Sequence, residues 1–219
     1  MLPLRLARTK MEIKDAKYVI SSPSVEKCPT PDRAEVAFIG RSNVGKSSLI
    51  NMLCNNTKLA KTSSIPGKTR LINLFEIQYS DPQKPKPPAL YFVDLPGYGF
   101  AKVSQKDRRR WEQKTEEYIR KRVNLVNLFV LIDSRHKPQQ PDLDFIGKLG
   151  KWGTPFAIVF TKADKNKPQV TEKNVNLFME ALRQTWEAPP VFFISSAATR
   201  EGKKEILDFI NNVNNQYQQ

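Results

Sequence analysis

The chain has 219 residues, with 36 lysines and arginines against 22 acidic residues, a formal charge of +14; 39% of residues are hydrophobic and 26% are charged. That length can bury a core and the composition excludes collagen-like and wholly disordered chains, while two cysteines (Cys28, Cys54) and a single histidine (His136) exclude a disulfide scaffold, a four-cysteine zinc site and any centre built on several imidazoles. No uncharged apolar run approaches the roughly 20 residues that span a bilayer, and charges interrupt the opening MLPLRLARTK too often for a secretory signal, so a reduced, cytoplasmic, soluble protein is expected, its positive charge pointing to a polyanionic partner, most often nucleic acid.

No internal repeat is visible. Residues 1–33, with Pro3, Pro23, Pro29 and Pro31, read as an irregular lead-in packed on the domain, with one short strand near Tyr18–Ile20. A single domain over 34–213 follows, then a polar tail, 214–219, expected to fray. AEVAFIG (34–40) is a short apolar run ending in glycine, and KSSLINMLCN (46–55) has helical spacing. LINLFEIQY (71–79) alternates with period two, and ALYFVD (89–94) is another apolar run. Residues 106–123 read as a helix. LVNLFVLID (125–133), PFAIVF (155–160) and VFFIS (191–195) read as buried strands, and 142–149, 170–187 and 203–213 as helices. Apolar runs separated by helices predict an α/β fold with a six-stranded, mostly parallel sheet covered on both faces. The proline-rich connector SDPQKPKPPA offers no helical crossover, so 71–79 and 89–94 are expected to pair antiparallel. In such sheets ligands sit at the carboxyl ends of the strands, and the residues that carry chemistry here follow the apolar runs.

The first run leads into GRSNVGKS, Gly40 to Ser47, a G-x-x-x-x-G-K-S loop between strand and helix. Gly40 and Gly45 let the backbone bend so that N–H groups of Arg41, Ser42, Asn43 and Val44 face phosphate oxygens. The helix that follows, through Ser48, adds its positive dipole end. Lys46 reaches the β- and γ-phosphates, and Ser47 offers its hydroxyl to Mg²⁺. In ALYFVDLPG, Asp94 ends a strand, where a carboxylate holds Mg²⁺; Leu95 and Pro96 lead to Gly97, whose N–H can sense a γ-phosphate. An Asp in such a turn can equally be a cap. The intervening loop TSSIPGKTRL (62–71) contains Gly67, Lys68, Thr69, Arg70 and Leu71. A threonine there would complete the Mg²⁺ shell, and both Thr62 and Thr69 are candidates.

The base is read from TKAD, Thr161 to Asp164, after PFAIVF. Asp164 can accept from N1–H and the exocyclic amine of guanine, a donor pair adenine lacks. Lys162 can lay its stem over the ring, with Ala163 between them. Thr161 stands where asparagine is common, and its hydroxyl can tie this loop to the cradle. In ISSAA, the backbone N–H groups of Ser195, Ser196 and Ala197 are expected to face guanine O6. Asp133 ends a strand and reads equally as a site border or a cap, and Cys54 reads as core and Cys28 as a free thiol.

These residues resemble a known family. GRSNVGKSSLIN (40–51), TSSIPGKTR (62–70), DLPGYGFAK (94–102), LIDSRHKPQQPDLD (131–144) and TKAD are similar to the EngB (YihA/YsxC) ribosome-assembly GTPases, a branch of the translation-factor-like P-loop GTPases. The resemblance covers about residues 18 to 210. It implies a Ras-like three-layer fold, Mg²⁺-dependent GTP hydrolysis, assembly of the large ribosomal subunit and a link to cell division and septation. It favours Thr69 as the loop ligand. Where Ras-type enzymes place a water-orienting Gln, this chain has Tyr98, so slow turnover is expected, with Tyr98 packing the loop. Related GTPases with an Asn at the position of Asn43 bind K⁺ there, which implies K⁺-stimulated hydrolysis. Lys68 and Arg70 are candidates for a charge supplied in cis.

The segment 106–122 carries Lys106, Arg108, Arg109, Arg110, Lys114, Arg120, Lys121 and Arg122 against Asp107, Glu112, Glu116 and Glu117, with Trp111 among them. Following the DLPG loop directly, it is expected to dock on rRNA phosphates; the plainer reading is a solvated helix face with i,i+4 pairs such as Arg108–Glu112. The chain is thus expected to be a monomeric GTP switch, or alternatively a nucleotide-gated RNA- or ribosome-binding module with negligible hydrolysis. A small-molecule P-loop kinase lacks an acceptor site and lid here. A membrane-surface GTPase rests on charge alone, and no membrane insertion is expected.

Overall fold

The computed structural model describes residues 11–61, 71–80, 88–99 and 105–217, with side chains from 109 onward in the last span. The elements in chain order are β1 (Glu12–Ser22), β2 (Glu35–Gly40), α1 (Lys46–Leu53), β3 (Ile72–Ser80), β4 (Ala89–Asp94), α2 (Gln105–Lys121), β5 (Leu125–Asp133), α3 (Gln140–Trp152), β6 (Phe156–Thr161), α4 (Pro168–Arg183), β7 (Phe192–Ile194) and α5 (Lys203–Tyr217).

The strands form one sheet in the order β1-β3-β4-β2-β5-β6-β7. It has seven strands rather than six, because Glu12–Ser22 is a full edge strand antiparallel to β3. The lead-in is therefore not irregular there. Two register shifts, at Ile13/Asp15 and Tyr18/Ile20, break the period-two alternation that a sequence reading relies on. Lys14, Asp15 and Lys17 keep this free edge charged, which discourages pairing with another chain. The β3–β4 pair is antiparallel, and β2, β4, β5, β6 and β7 run parallel.

β2 is central and buried throughout. Its alternation feeds two cores. Val36 and Phe38 face α1 and α5, packing with Leu49, Leu53, Phe129, Ile206 and Ile210. Ala37 and Ile39 face the other layer, with Tyr118, Val130, Ile146, Phe160 and Phe178 from α2, β5, α3, β6 and α4. Each fully buried phenylalanine contributes about 1.5–3 kcal/mol, so burial on both faces holds the strand ends in register. Cys54 lies buried and Cys28 half-buried, both as free thiols.

Helix ends follow local chemistry. α1 stops at Cys54, before Asn55 in the left-handed region (φ 51°). α3 and α4 each place a proline in the first turn, and Gly153 (φ 64°) terminates α3. α5 continues to Tyr217, so the start of the polar tail is ordered helix. Asn214 is fully buried there, donating from Nδ2 to the Tyr79 hydroxyl at 2.5 Å. Among the described residues no helix is long and apolar enough to cross a membrane.

Candidate guanine-nucleotide site

The phosphate cradle grows out of β2. A Cβ on Gly40 would lie 2.8 Å from the Leu131 carbonyl and 2.9 Å from Val44 Cγ1, so only glycine lets β2 run this close to β5 before the turn. Asn43 (φ 61°) and Gly45 (φ 102°) then turn the chain through the left-handed region. Val44 dives into the core as the loop's anchor, and α1 begins at Lys46 with no side-chain cap among the described residues, its first backbone N–H groups having no partner within the helix. Ser47 and Ser48 sit in that first turn.

Pairing brings the second loop alongside. Phe38 of β2 registers with Asp94 of β4, and Leu95 N–H donates to the Phe38 carbonyl at 3.0 Å. The Lys46 ammonium consequently meets Asp94 Oδ1. Asp94 Oδ2 accepts from Asn73 Nδ2 at 3.4 Å, which fixes the carboxylate plane. Burial pulls the Lys46 ammonium down to about 7, and the carboxylate opposite favours its charged form. Asp94 Oδ1 is buried and, among the described residues, has no neutral hydrogen-bond donor. A hard carboxylate oxygen here and the Ser47 hydroxyl on the adjoining turn suit Mg²⁺. Leu95 and Pro96 are buried, and Gly97 is half-buried. Leu71 is exposed at the entrance to β3. Thr62, Gly67, Lys68, Thr69 and Arg70 lie outside the described residues, and so do the side chains of Lys106 and Arg108.

The base side is assembled by β5, β6 and β7. Asp133 and Thr161 are register partners at adjacent strand ends. The Thr161 hydroxyl donates to the Val44 carbonyl at 2.6 Å, tying the TKAD loop to the cradle. Lys162 (φ 62°) donates to the Asn43 carbonyl and to Asp133 Oδ2 at 2.9 Å. Burial opposes ionisation of Asp133, but hydrogen bonds from Arg135 and Lys162 outweigh it and hold the carboxyl at about 2. Asp133 thus does both: it caps the following turn by accepting the Arg135 backbone N–H at 3.1 Å, and it lines the cleft beside the cradle. Thr161→Val keeps the shape but leaves the Val44 carbonyl without its donor. It should weaken GDP binding about tenfold, from roughly 1–2 kcal/mol, with calorimetric titration as the check.

Asp164 Oδ1 accepts from the Ser196 hydroxyl at 2.7 Å, and Oδ2 pairs with Lys165 at 3.1 Å. The Ser196 bond first, and Lys165 after it, keep the Asp164 pKa below its ordinary value. Ala163 N–H donates to the Ser195 carbonyl at 3.2 Å, joining the two loops. One expectation is corrected: the Ser195 N–H donates to the Phe160 carbonyl at 2.8 Å and the Ser196 N–H to the Glu201 carbonyl at 3.3 Å. Neither is available for guanine O6, which leaves Ala197 of the three. Gly202 (φ 74°) makes this loop possible, because a Cβ there would sit 2.2 Å from the Ile194 carbonyl.

The basic helix is also corrected. Trp111 is buried, and Arg122 is bound to buried Glu35 rather than presented to solvent. Arg120 pairs with Glu116 at 3.0 Å and Lys121 with Glu117 at 3.3 Å. Arg109 and Arg110 are exposed and Lys114 half-exposed.

Arg135, Gln139 and Asp142, which the sequence reading does not single out, flank the cradle. A cleft of about 220 Å³ is lined by Arg41, Ser42, Asn43, Asp133, Arg135, Gln139, Asp142 and Lys162. Arg41 Nη1 donates to Gln139 Oε1, pinning the loop to the start of α3. The Tyr98 hydroxyl donates to Asp142 Oδ1, in the first turn of α3, at 2.9 Å. Position in the LIDSRHKPQQPDLD segment marks Arg135, Gln139 and Asp142 only as part of a block.

Comparison with known proteins agrees with this geometry. The family described as 50S ribosome-binding GTPase matches residues 35–162. The chain is 47% identical over 205 residues to a probable GTP-binding protein EngB of Christiangramia forsetii, covering 94% of this chain and 99% of that protein. It is 50% identical over 204 residues to the like-named protein of Phocaeicola vulgatus, covering 93% and 98%. A crystal structure of a probable GTP-binding protein engB superposes with a TM-score of 0.58 at 23% identity, over 84% of this chain and 99% of that one, a match of fold. With its Ras-like sheet and its cradle, carboxylates and TKAD loop gathered on one rim, the chain belongs to the EngB family of GTP-binding proteins.

Proposed function

We propose that this protein is a GTP switch for assembly of the large ribosomal subunit, with slow Mg²⁺-dependent hydrolysis of GTP to GDP and phosphate. The observation that carries the reading is the convergence at one sheet rim: Lys46 against Asp94 on one side of the cradle, and Thr161 and Lys162 bonded to its underside on the other. Lys46 holds the β- and γ-phosphates, Gly97 senses the γ-phosphate, and Asp164 with Ala197 reads guanine. Ser47 and Asp94, with Thr69 from the loop before β3, would hold Mg²⁺, which when bound neutralises charge on the phosphates. Asn43 would hold K⁺, supplying charge where the Ras-type glutamine is missing. The Tyr98 hydroxyl is engaged by Asp142, which supports slow intrinsic turnover. Residues 34–213 act as the GTPase domain of a cytoplasmic monomer, and Arg109, Arg110 and Lys114 meet rRNA phosphate beside the nucleotide-sensing loop. Resemblance to the family adds a role in cell division and septation to this reading.

The test is hydrolysis in KCl and in NaCl at matched ionic strength, with and without large-subunit particles, together with co-sedimentation in GTP and GDP. Faster turnover in KCl and GTP-dependent co-sedimentation are expected, the latter weakened about tenfold by charge reversal at Arg109 and Arg110. Equal turnover in both salts removes the K⁺ role. GTP-dependent binding with no measurable turnover in any condition favours the gated binding module instead.

A further inference from the structure

We infer that Asp142 is a positioning residue for nucleotide sensing, clasping Tyr98 and so fixing the loop that carries Gly97 against α3. The inference deepens the function proposed above and rests on Gly97 as the γ-phosphate sensor.

The clasp has two contacts on one helix face. Asp142, in the first turn of α3, accepts the Tyr98 hydroxyl at 2.9 Å. Phe145, three residues on and so on the same face, stacks on the Tyr98 ring with centroids 4.3 Å apart and planes 15° from parallel. Both partners are withdrawn from water, Tyr98 at 7% and Asp142 at 4% exposure. A carboxylate so deeply placed is costly unless something compensates. Burial raises its pKa, and the Tyr98 hydroxyl and the nearby Arg41 charge oppose the rise. The N-terminal end of α3 adds a favourable field.

The clasp also touches the cradle. Gly99 (φ 70°) follows Tyr98, and a Cβ there would lie 3.7 Å from Arg41 Nε and 4.0 Å from Pro141 Cβ. Arg41 in turn donates to Gln139, immediately before α3. The second cradle residue, the start of α3 and the residues flanking Tyr98 therefore meet at one point. Gly97 is one residue from the clasp and Asp94 four. A displacement of Tyr98 must move Gly97, whereas the base-reading loop at Asp164 is held by separate bonds to Ser196 and Lys165. The clasp should therefore govern the response to the third phosphate and leave diphosphate binding alone.

The experiment uses the full chain with Tyr98→Phe, Asp142→Leu, Asp142→Asn and the double variant Tyr98→Phe/Asp142→Leu. Affinity for GDP and for a non-hydrolysable GTP analogue, and single-turnover hydrolysis, are measured in parallel. Tyr98→Phe keeps the ring stack and removes the donor. It should lower analogue affinity and hydrolysis about tenfold, with GDP affinity within about twofold of wild type. Asp142→Leu should match it, and the double variant should be no worse than either single change. Asp142→Asn retains an oxygen acceptor and should recover most of the response. An unchanged ratio of triphosphate to diphosphate affinity in Tyr98→Phe and Asp142→Leu, with GDP binding intact, overturns the clasp. Additive losses in the double variant overturn it too. Failure of the wild-type chain to bind any guanine nucleotide instead sinks the nucleotide reading beneath it.

Discussion

Asp164→Ala lowers affinity for GDP by about 10²–10⁴-fold and leaves ADP binding as weak as in the wild type. The carboxylate already accepts one bond from Ser196 and pairs with Lys165, so it is ionised and oriented before a base arrives. Guanine presents two donors on its N1 edge, and each charge-assisted hydrogen bond is worth roughly 1.5–3 kcal/mol net. Two such bonds sum to about 3–6 kcal/mol, and every 1.4 kcal/mol is about a factor of ten. Adenine offers no matching pair, so its binding, carried by phosphate contacts alone, does not depend on the carboxylate. Asp164→Asn sharpens the point. Its amide places a donor against a guanine donor, so GDP is lost while a base with a carbonyl in place of the exocyclic amine gains. Calorimetric titration of GDP, ADP and xanthosine diphosphate against the three proteins decides the matter. Equal losses for GDP and ADP in Asp164→Ala would mean that this loop reads no base.

How much of this could be read from residues alone depends on how local the physics is. The cradle is legible because its tight turn demands glycine at Gly40, where β2 crowds β5, and at Gly45, where the chain turns left-handed, with a cation for phosphate at Lys46, all within eight residues. Asp94 and Asp164 are legible because they follow apolar runs whose burial in a parallel sheet places their carboxyl ends on one rim. β1 is not, because its two bulges carry Ile13 and Ala16 to one core and Ile20 to the other. Donor availability is equally hidden: ISSAA advertises three N–H groups, but only the fold shows that Phe160 and Glu201 carbonyls take two of them. Asn214 looks like tail until Tyr79, 135 residues away, is found beside it. The Tyr98–Asp142 contact spans 44 residues in the same way. For Ser195, Asn214 and Tyr98 a polar group's role is set by a partner remote in sequence, which periodicity does not encode.

Arg122 carries that lesson into a measurable quantity. Counted along the sequence it is one of eight cations in a docking helix. In the fold its side chain is 5% exposed and faces Glu35, which is fully buried. Arg122 Nε donates to Glu35 Oε2 at 2.9 Å and Nη2 to Oε1 at 2.5 Å, and Nη2 also reaches the Pro29 carbonyl at 2.7 Å. The Tyr118 hydroxyl donates to the same carboxylate. Arg122→Ala strands a buried carboxylate with one neutral donor, a change that costs about 3–5 kcal/mol. For a domain of this size each kcal/mol moves the melting temperature by roughly 2–4 °C, so the variant should melt about 6–20 °C lower. Pairing Arg122→Met with Glu35→Leu should recover most of the loss, because apolar replacement of a buried ion pair is often neutral or better. Charge reversal at exposed Arg109 and Arg110, which carry no ion pair among the described residues, should leave the melting temperature within about 2 °C of wild type. The two sets of changes therefore separate what Arg122 does from what the exposed cations do: one lowers stability, the other weakens polyanion binding. If Arg122→Ala melts with the wild type and instead loses affinity for RNA, Arg122 is a docking cation and the buried pair contributes nothing.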